Sequence, residues 1–207
     1  MARKKFKLIV GITGATGTIL GVRLLQVLKG AKVQTHLVLS NWGARTLVHE
    51  TPYSVRQVQE MASAHYAAQD QGAAIASGSF VTDGMVVCPC SAKSLAAIAQ
   101  GHGDSLVHRA ADVMLKERRR LVLVVRETPL SDIHIENMGR LSRMGAVIFP
   151  PVPAFYHHPK TIEDVVDQTV LRILDQFGLH LPSPDRWSGE MAVFVKKPSR
   201  HRSKSNT

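Results

Sequence analysis

The sequence predicts an α/β protein in three layers, with helices on both faces of a doubly wound parallel sheet. Three observations lead there. Short runs rich in Val, Ile and Leu alternate with amphipathic stretches along the whole chain. The runs are apolar at consecutive positions, as strands covered on both faces are. The first run leads into Gly11-Ile12-Thr13-Gly14-Ala15-Thr16-Gly17 and then a helical pattern. That is a strand, a glycine-rich turn and a helix N-terminus, which together can seat a phosphate. A tight strand-to-helix turn without a ligand is the alternative reading of this stretch.

The first strand is placed at residues 7–12, with further strands at 33–39, 84–88, 121–125 and 146–149. Helices are placed at 18–28, 41–49, 55–62, 92–100, 105–117, 132–143 and 162–177. Ser54 with Gln57 forms a capping-box pattern. Ser91 and Thr161 stand as N-caps, and Glu163 and Asp164 load the first turn of the last helix. Gly30, Gly101 and Gly178 mark helix ends. Strands alternating with helices give a parallel sheet whose ligands bind at the strand carboxyl ends. The segments to inspect are therefore 13–17, Ser40, 89–93, Arg126-Glu127 and 150–156.

A chain of 207 residues, 44% of them hydrophobic, fits one domain with a full core. We assign 1–7 to a basic lead-in, 8–188 to the α/β domain and 189–207 to a basic, flexible tail. No apolar run approaches the ~20 residues of a membrane span. The net charge is +10, but nine of those charges lie in the two ends, leaving residues 8–195 at +1. The ends read as solvated tails. An anion-binding tail is the sharper alternative, and without interleaved aromatic residues we assign no nucleic-acid partner. Cys88 and Cys90 are read as pointing to opposite faces of a strand, so no disulfide is expected and a cytoplasmic setting follows. The histidines show no metal-ligand spacing, and no metal is assigned.

Three stretches carry chemistry. Cys88-Pro89-Cys90-Ser91-Ala92-Lys93-Ser94 joins a strand to a helix; Ser91, Lys93 and Ser94 could bind a phosphate or ring edge, or Ser91 could simply cap the helix. Arg126-Glu127 follows an apolar strand, where a charged pair costs desolvation unless it serves a ligand or forms a structural ion pair. Arg109 and Lys116, seven apart, share a helix face with Asp112 available to pair. Arg172 interrupts an apolar helical run, and Glu50 ends a helix against its dipole. Tyr156 and Lys160 have dehydrogenase-like spacing, but Pro159 disfavours the helix that use requires.

Together these motifs resemble the flavin prenyltransferases of UbiX type, from about Leu8 to Trp187. The glycine-rich stretch, 84–91, 109–118, 125–130, 150–157 and Arg186-Trp187 carry the likeness in order. Trp42 and residues 50–54 resemble the branch that takes its other name from the hydroxyarylic acid decarboxylases. The resemblance implies a Rossmann-like, flavodoxin-like fold. It implies metal-independent transfer of a dimethylallyl group from dimethylallyl monophosphate to N5 and C6 of reduced FMN, giving prenylated FMN for a UbiD-type aromatic-acid decarboxylase. By position, Gly14, Ala15, Thr16, Ser40, Ser91, Ala92, Lys93, Ser94 and Arg126 would hold FMN. Arg109, Lys116, Tyr156, Arg172 and Trp187 would hold or enclose the prenyl phosphate. Glu50 and Glu127 would handle protons, with Thr16 beside N5 where many members carry Ser. The family implies a homo-oligomer, a dodecamer, with sites between protomers. Two readings compete: a non-catalytic flavin-binding component of a hydroxyarylic acid decarboxylase complex, and a flavin-dependent cysteine decarboxylase. The second lacks its Asn in the 89–93 loop.

Overall fold

A computed structural model of the chain describes residues 5–182 with Arg186, Trp187 and Gly189. The start of the basic lead-in and nearly all of the C-terminal tail lie outside the described residues.

Six strands form one parallel sheet: β1 Lys7–Ile12, β2 Gln34–Leu39, β3 Ala64–Tyr66, β4 Gly84–Cys90, β5 Arg120–Val125 and β6 Val147–Ile148. Their order is β3-β2-β1-β4-β5-β6. The chain winds outward from β1 in one direction, returns, and winds outward from β4 in the other. The order is Rossmann-like, and without the short edge strand β3 it reduces to the flavodoxin order. The reversal falls between β1 and β4, which opens a crevice at their carboxyl ends.

Alternation along the strands divides the core. Leu8, Val10 and Ile12 of β1 pack with Val86, Val122 and Val124 under α1 (Thr18–Gly30), α2 (Asn41–Glu50), α3 (Val55–Gln59) and α7 (Ile162–Asp175). Ile9, Met85, Val87, Leu121 and Leu123 face the other way, under α4 (Ala92–Gln100), α5 (Leu106–Lys116) and α6 (Asp132–Arg143). Helix α1 lies so close to β4 that a Cβ on Gly21 would come within 2.5 Å of the Cys88 carbonyl oxygen. The caps at Ser54, Ser91 and Thr161 form as expected, and Gly101 ends α4 at φ +74°.

Four expectations need correction. β3 has no sequence signature, because three half-exposed residues at a sheet edge show no period. β4 runs two residues further, through Pro89. α3 stops at Gln59 and α7 at Asp175, short of the expected 62 and 177. The reason given for the cysteines also fails, since residues two apart on a regular strand share a face. A register shift between Val87 and Cys90 re-aims the strand. Cys88 therefore joins the α1/α7 side and Cys90 the α4/α5 side, both as buried free thiols. Burial pushes the Cys90 thiol up to about 12 and Cys88 higher still, so both are packing groups at neutral pH.

Candidate active site

Thr13, a residue with no distinguishing sequence signal, joins the two loops at the crevice. Its hydroxyl donates to the Pro89 carbonyl at 2.8 Å and accepts from the Ser91 amide at 2.8 Å. Gly14 comes next, and here only glycine fits: a Cβ would lie 2.4 Å from Trp42 Cβ. Gly17, at φ +90°, then turns the chain into α1.

Around these loops lies a cavity of about 520 Å³. Its walls bring together Gly14, Ser40, Ser91, Ala92, Lys93, Ser94 and Glu127 from the sequence expectations. Ser40 caps α2 through the Gly43 amide at 3.0 Å, and Ser91 caps α4 through the Ser94 amide at 3.2 Å. Two helix N-termini, each a partial positive charge with free amides, thus face one space. A flavin phosphate fits this donor set, and the gap left at Gly14 lets a ligand approach the main chain. Ala15, Thr16 and Arg126 flank the cavity rather than line it; Ala15 is buried, and the other two are exposed. Trp42, 64% exposed, and the nearly buried His108 also form the wall. His108 carried no sequence signal, as a single histidine inside an apolar helical pattern.

Glu50 explains its awkward place at the end of α2. Its carboxylate reaches the amino end of α1, accepting from the Gly17 amide at 2.9 Å and the Thr18 hydroxyl at 3.0 Å. Burial pushes this carboxyl up, but hydrogen bonds from the Thr16 hydroxyl, Thr18 and Gly17 outweigh it and hold Glu50 below the usual carboxylate range. Glu50 is therefore ionised at neutral pH. Glu127 accepts from the Thr128 amide at 3.1 Å and presents its carboxyl at the cavity edge.

The residues expected around the prenyl phosphate divide into two groups. Tyr156, Arg172 and Trp187 line a second cavity of about 580 Å³ with Arg186. Tyr156 and Trp187 meet edge to face at 5.7 Å, and the Tyr156 hydroxyl accepts from Gln168 at 2.9 Å. Tyr156 lies in a turn, not a helix, so the dehydrogenase-like pairing with Lys160 is absent from its geometry. Asp175, which no sequence motif marked, organises this corner. It bonds Arg172 at 2.9 Å, His180 at 3.0 Å and both terminal nitrogens of Arg186 at 2.8 and 2.9 Å. Burial opposes its charge, but the bonds from Arg186 and His180 and the Arg172 charge hold its carboxyl at about 2. Arg109 and Lys116 are elsewhere, on α5. Arg109 bonds the Ala76 carbonyl at 3.1 Å and Asp112 at 2.7 Å, while Lys116 pairs with Glu117. Among the described residues, no cluster of three or more His, Cys, Asp or Glu could hold a metal, and no helix is long and apolar enough to cross a membrane.

A family model described as Flavoprotein matches residues 1–174. A Bacillus subtilis protein named probable UbiX-like flavin prenyltransferase is 59% identical over 185 residues, covering 89% of this chain and 91% of the relative. The chain belongs to the UbiX-type flavin prenyltransferases. Two solved structures in this family match closely. AnUbiX (PadA1), in complex with FMN and dimethylallyl pyrophosphate, superposes with a TM-score of 0.87 at 51% identity, over 90% of this chain and 100% of that one. A dodecameric FMN-dependent UbiX-like decarboxylase from Escherichia coli O157:H7 also gives 0.87, at 58% identity over 89% and 100%. Membership accounts for both cavities: a flavoprotein needs an anion seat at the sheet crevice, and a prenyl-phosphate enzyme needs a cationic, aromatic-walled space.

Proposed function

We propose that this chain transfers a dimethylallyl group from dimethylallyl monophosphate to reduced FMN, making prenylated FMN for a UbiD-type non-oxidative aromatic-acid decarboxylase. The observation that carries this reading is the anion seat formed by the capped N-termini of α2 and α4 in a chain of this family. Reduced FMN supplies the nucleophilic N5 and C6. Bond formation from the prenyl C1 to N5 breaks the C–O bond to phosphate, and closure onto C6 releases a proton.

The protein's part is placement and charge. Gly14, Ser40 and Ser91–Ser94 would fix the acceptor, with Ala15, Thr16 and Arg126 at its margin. Arg172 and the Tyr156 hydroxyl would draw charge off the departing phosphate. Tyr156 and Trp187 would give the developing allylic cation an aromatic wall. Glu127, half-buried at the cavity edge, suits proton transfer. Glu50, already ionised, would bias that region against negative charge and order Thr16. Holding the two reactants in contact is worth several kcal/mol, on the order of ~7.

Arg109 and Lys116 lie on α5, away from the two cavities, so we take them as contributions to a neighbouring copy's site. A dodecameric assembly, as in the E. coli relative, would supply that neighbour. We further take residues 8–188 as one domain with basic ends, working in the cytoplasm. Anaerobic incubation with reduced FMN and dimethylallyl monophosphate should yield flavin heavier by one prenyl unit. Unmodified flavin would end the proposal. A parallel reaction with the pyrophosphate, the compound in the AnUbiX complex, tests the donor.

A further inference from the structure

His108 is nine-tenths buried on the wall of the 520 Å³ cavity, and the chemistry above gives it no part. Its Nε2 lies 3.1 Å from Ser94 Oγ. Ser94 Oγ in turn accepts from the Ser91 hydroxyl at 3.2 Å. The other ring nitrogen, Nδ1, is buried without a hydrogen-bond partner.

That last fact settles the direction of the line. If the Ser94 hydroxyl donated to Nε2, the ring proton would sit on Nδ1, leaving a buried N–H unpaired at a cost of about 1–3 kcal/mol. With the proton on Nε2, the imidazole donates to Ser94 and only a lone pair is left bare, the commoner kind of unmet group. Ser94 Oγ then accepts twice, from Nε2 and from Ser91. Its own proton must point out of the line, into the cavity. Burial lowers the affinity of His108 for a second proton, with Asp104 and Lys93 as the charged groups facing it in opposite senses. The neutral ring is the form that fits.

We propose that His108 is a positioning residue: by donating from Nε2 to Ser94 Oγ, it turns the Ser94 hydroxyl into an outward donor for the phosphate of the bound flavin. The proposal rests on the reading of this cavity as the FMN seat. It goes beyond that reading in making Ser94 a one-way donor because of a residue that does not itself reach the ligand.

The test compares FMN with riboflavin, which lacks the phosphate, by fluorescence titration. The variants are His108→Leu, His108→Gln, Ser94→Ala and the double variant His108→Leu with Ser94→Ala. His108→Leu should raise the FMN dissociation constant about tenfold, the loss of one bond to a charged group, and leave riboflavin binding unchanged. His108→Gln, whose amide can donate from a similar place, should recover most of the FMN affinity. In the double variant the second change should add nothing, since the two residues act through one hydroxyl. Equal weakening of FMN and riboflavin, additive losses or no loss of FMN affinity would overturn the proposal. Ser94→Ala removes one atom and folds independently of His108, so unchanged FMN affinity there overturns it even if His108→Leu does not fold. Failure of the prenyltransferase reading shows separately, as unmodified flavin from the unaltered protein.

Discussion

Glu50 accepts from Thr18 twice, from its amide at 3.1 Å and its hydroxyl at 3.0 Å, so the last residue of α2 closes the first turn of α1. One carboxylate therefore fixes the angle between the two helices that flank the glycine-rich loop. Replacing it with Gln keeps the shape but removes the charge at a helix N-terminus, which should cost about 1 kcal/mol of stability in a urea titration. Because hydrogen bonding lowers the Glu50 acidity constant in the folded protein, its contribution is present above the unfolded value and lost as pH falls through the folded one. The Glu50→Gln difference should hold at neutral pH and shrink in acid. Prenylated-flavin formation should also fall, since Thr16 loses its anchoring partner.

Asp175→Asn should loosen Arg172 and Arg186 together. The carboxyl is 8% exposed but its partners are open to solvent, so the loss should be about 2 kcal/mol. Kinetics should show a raised KM for the prenyl donor with FMN binding untouched. The carboxyl titrates at about 2 when folded against an ordinary 3.8. Its stabilisation is complete above the unfolded value and disappears as pH drops from about 4 towards 2. A wild-type to Asp175→Asn difference that does not shrink over that range would contradict the assignment.

Gly14→Ala should weaken FMN binding at least about tenfold. The new methyl has no place beside Trp42 Cβ at 2.4 Å without moving the start of α2. Equilibrium dialysis against FMN reads this directly, and affinity equal to wild type would show that the α2 N-terminus yields more easily than its packing implies.

Arg109→Ala and Arg172→Ala should each abolish turnover alone. Co-expressed, they should recover part of it, because a shared site can assemble one intact Arg109 with one intact Arg172 from different copies. No recovery in mixed oligomers of confirmed size would place the two arginines in one chain's site.

The elements that formed as expected were those with strong local signals. The run of β1 into its glycine turn, the caps at Ser91 and Thr161 and the stop at Gly101 depend on neighbours a few residues away. β3 escaped because an edge strand of three residues borrows its conformation from β2, through the backbone ladder and the Tyr66 hydroxyl on His36 Nδ1 at 2.8 Å. The extension of β4 through Pro89 escaped because proline normally ends such a run. At the site, Gly14, Ser40 and Ser91 were visible as strand-end residues. Thr13, His108 and Asp175 were not. Thr13 meets Ser91 78 residues on, His108 meets Ser94 on another helix, and Asp175 meets Arg186 beyond the end of its own helix.

The sequence alone determined the alternation of strands and helices, the position of the phosphate-seating turn and the family to which the motifs belong. These follow from hydrophobic period, glycine placement and residue identity, which are local properties. Tertiary structure alone decided that Glu50 serves α1 rather than its own helix, that Cys88 and Cys90 face apart, and that Tyr156 and Arg172 share a cavity that Arg109 does not reach. Each is a distance between residues far apart in the chain, and such distances are set by packing around the sheet, not by any pattern within a segment.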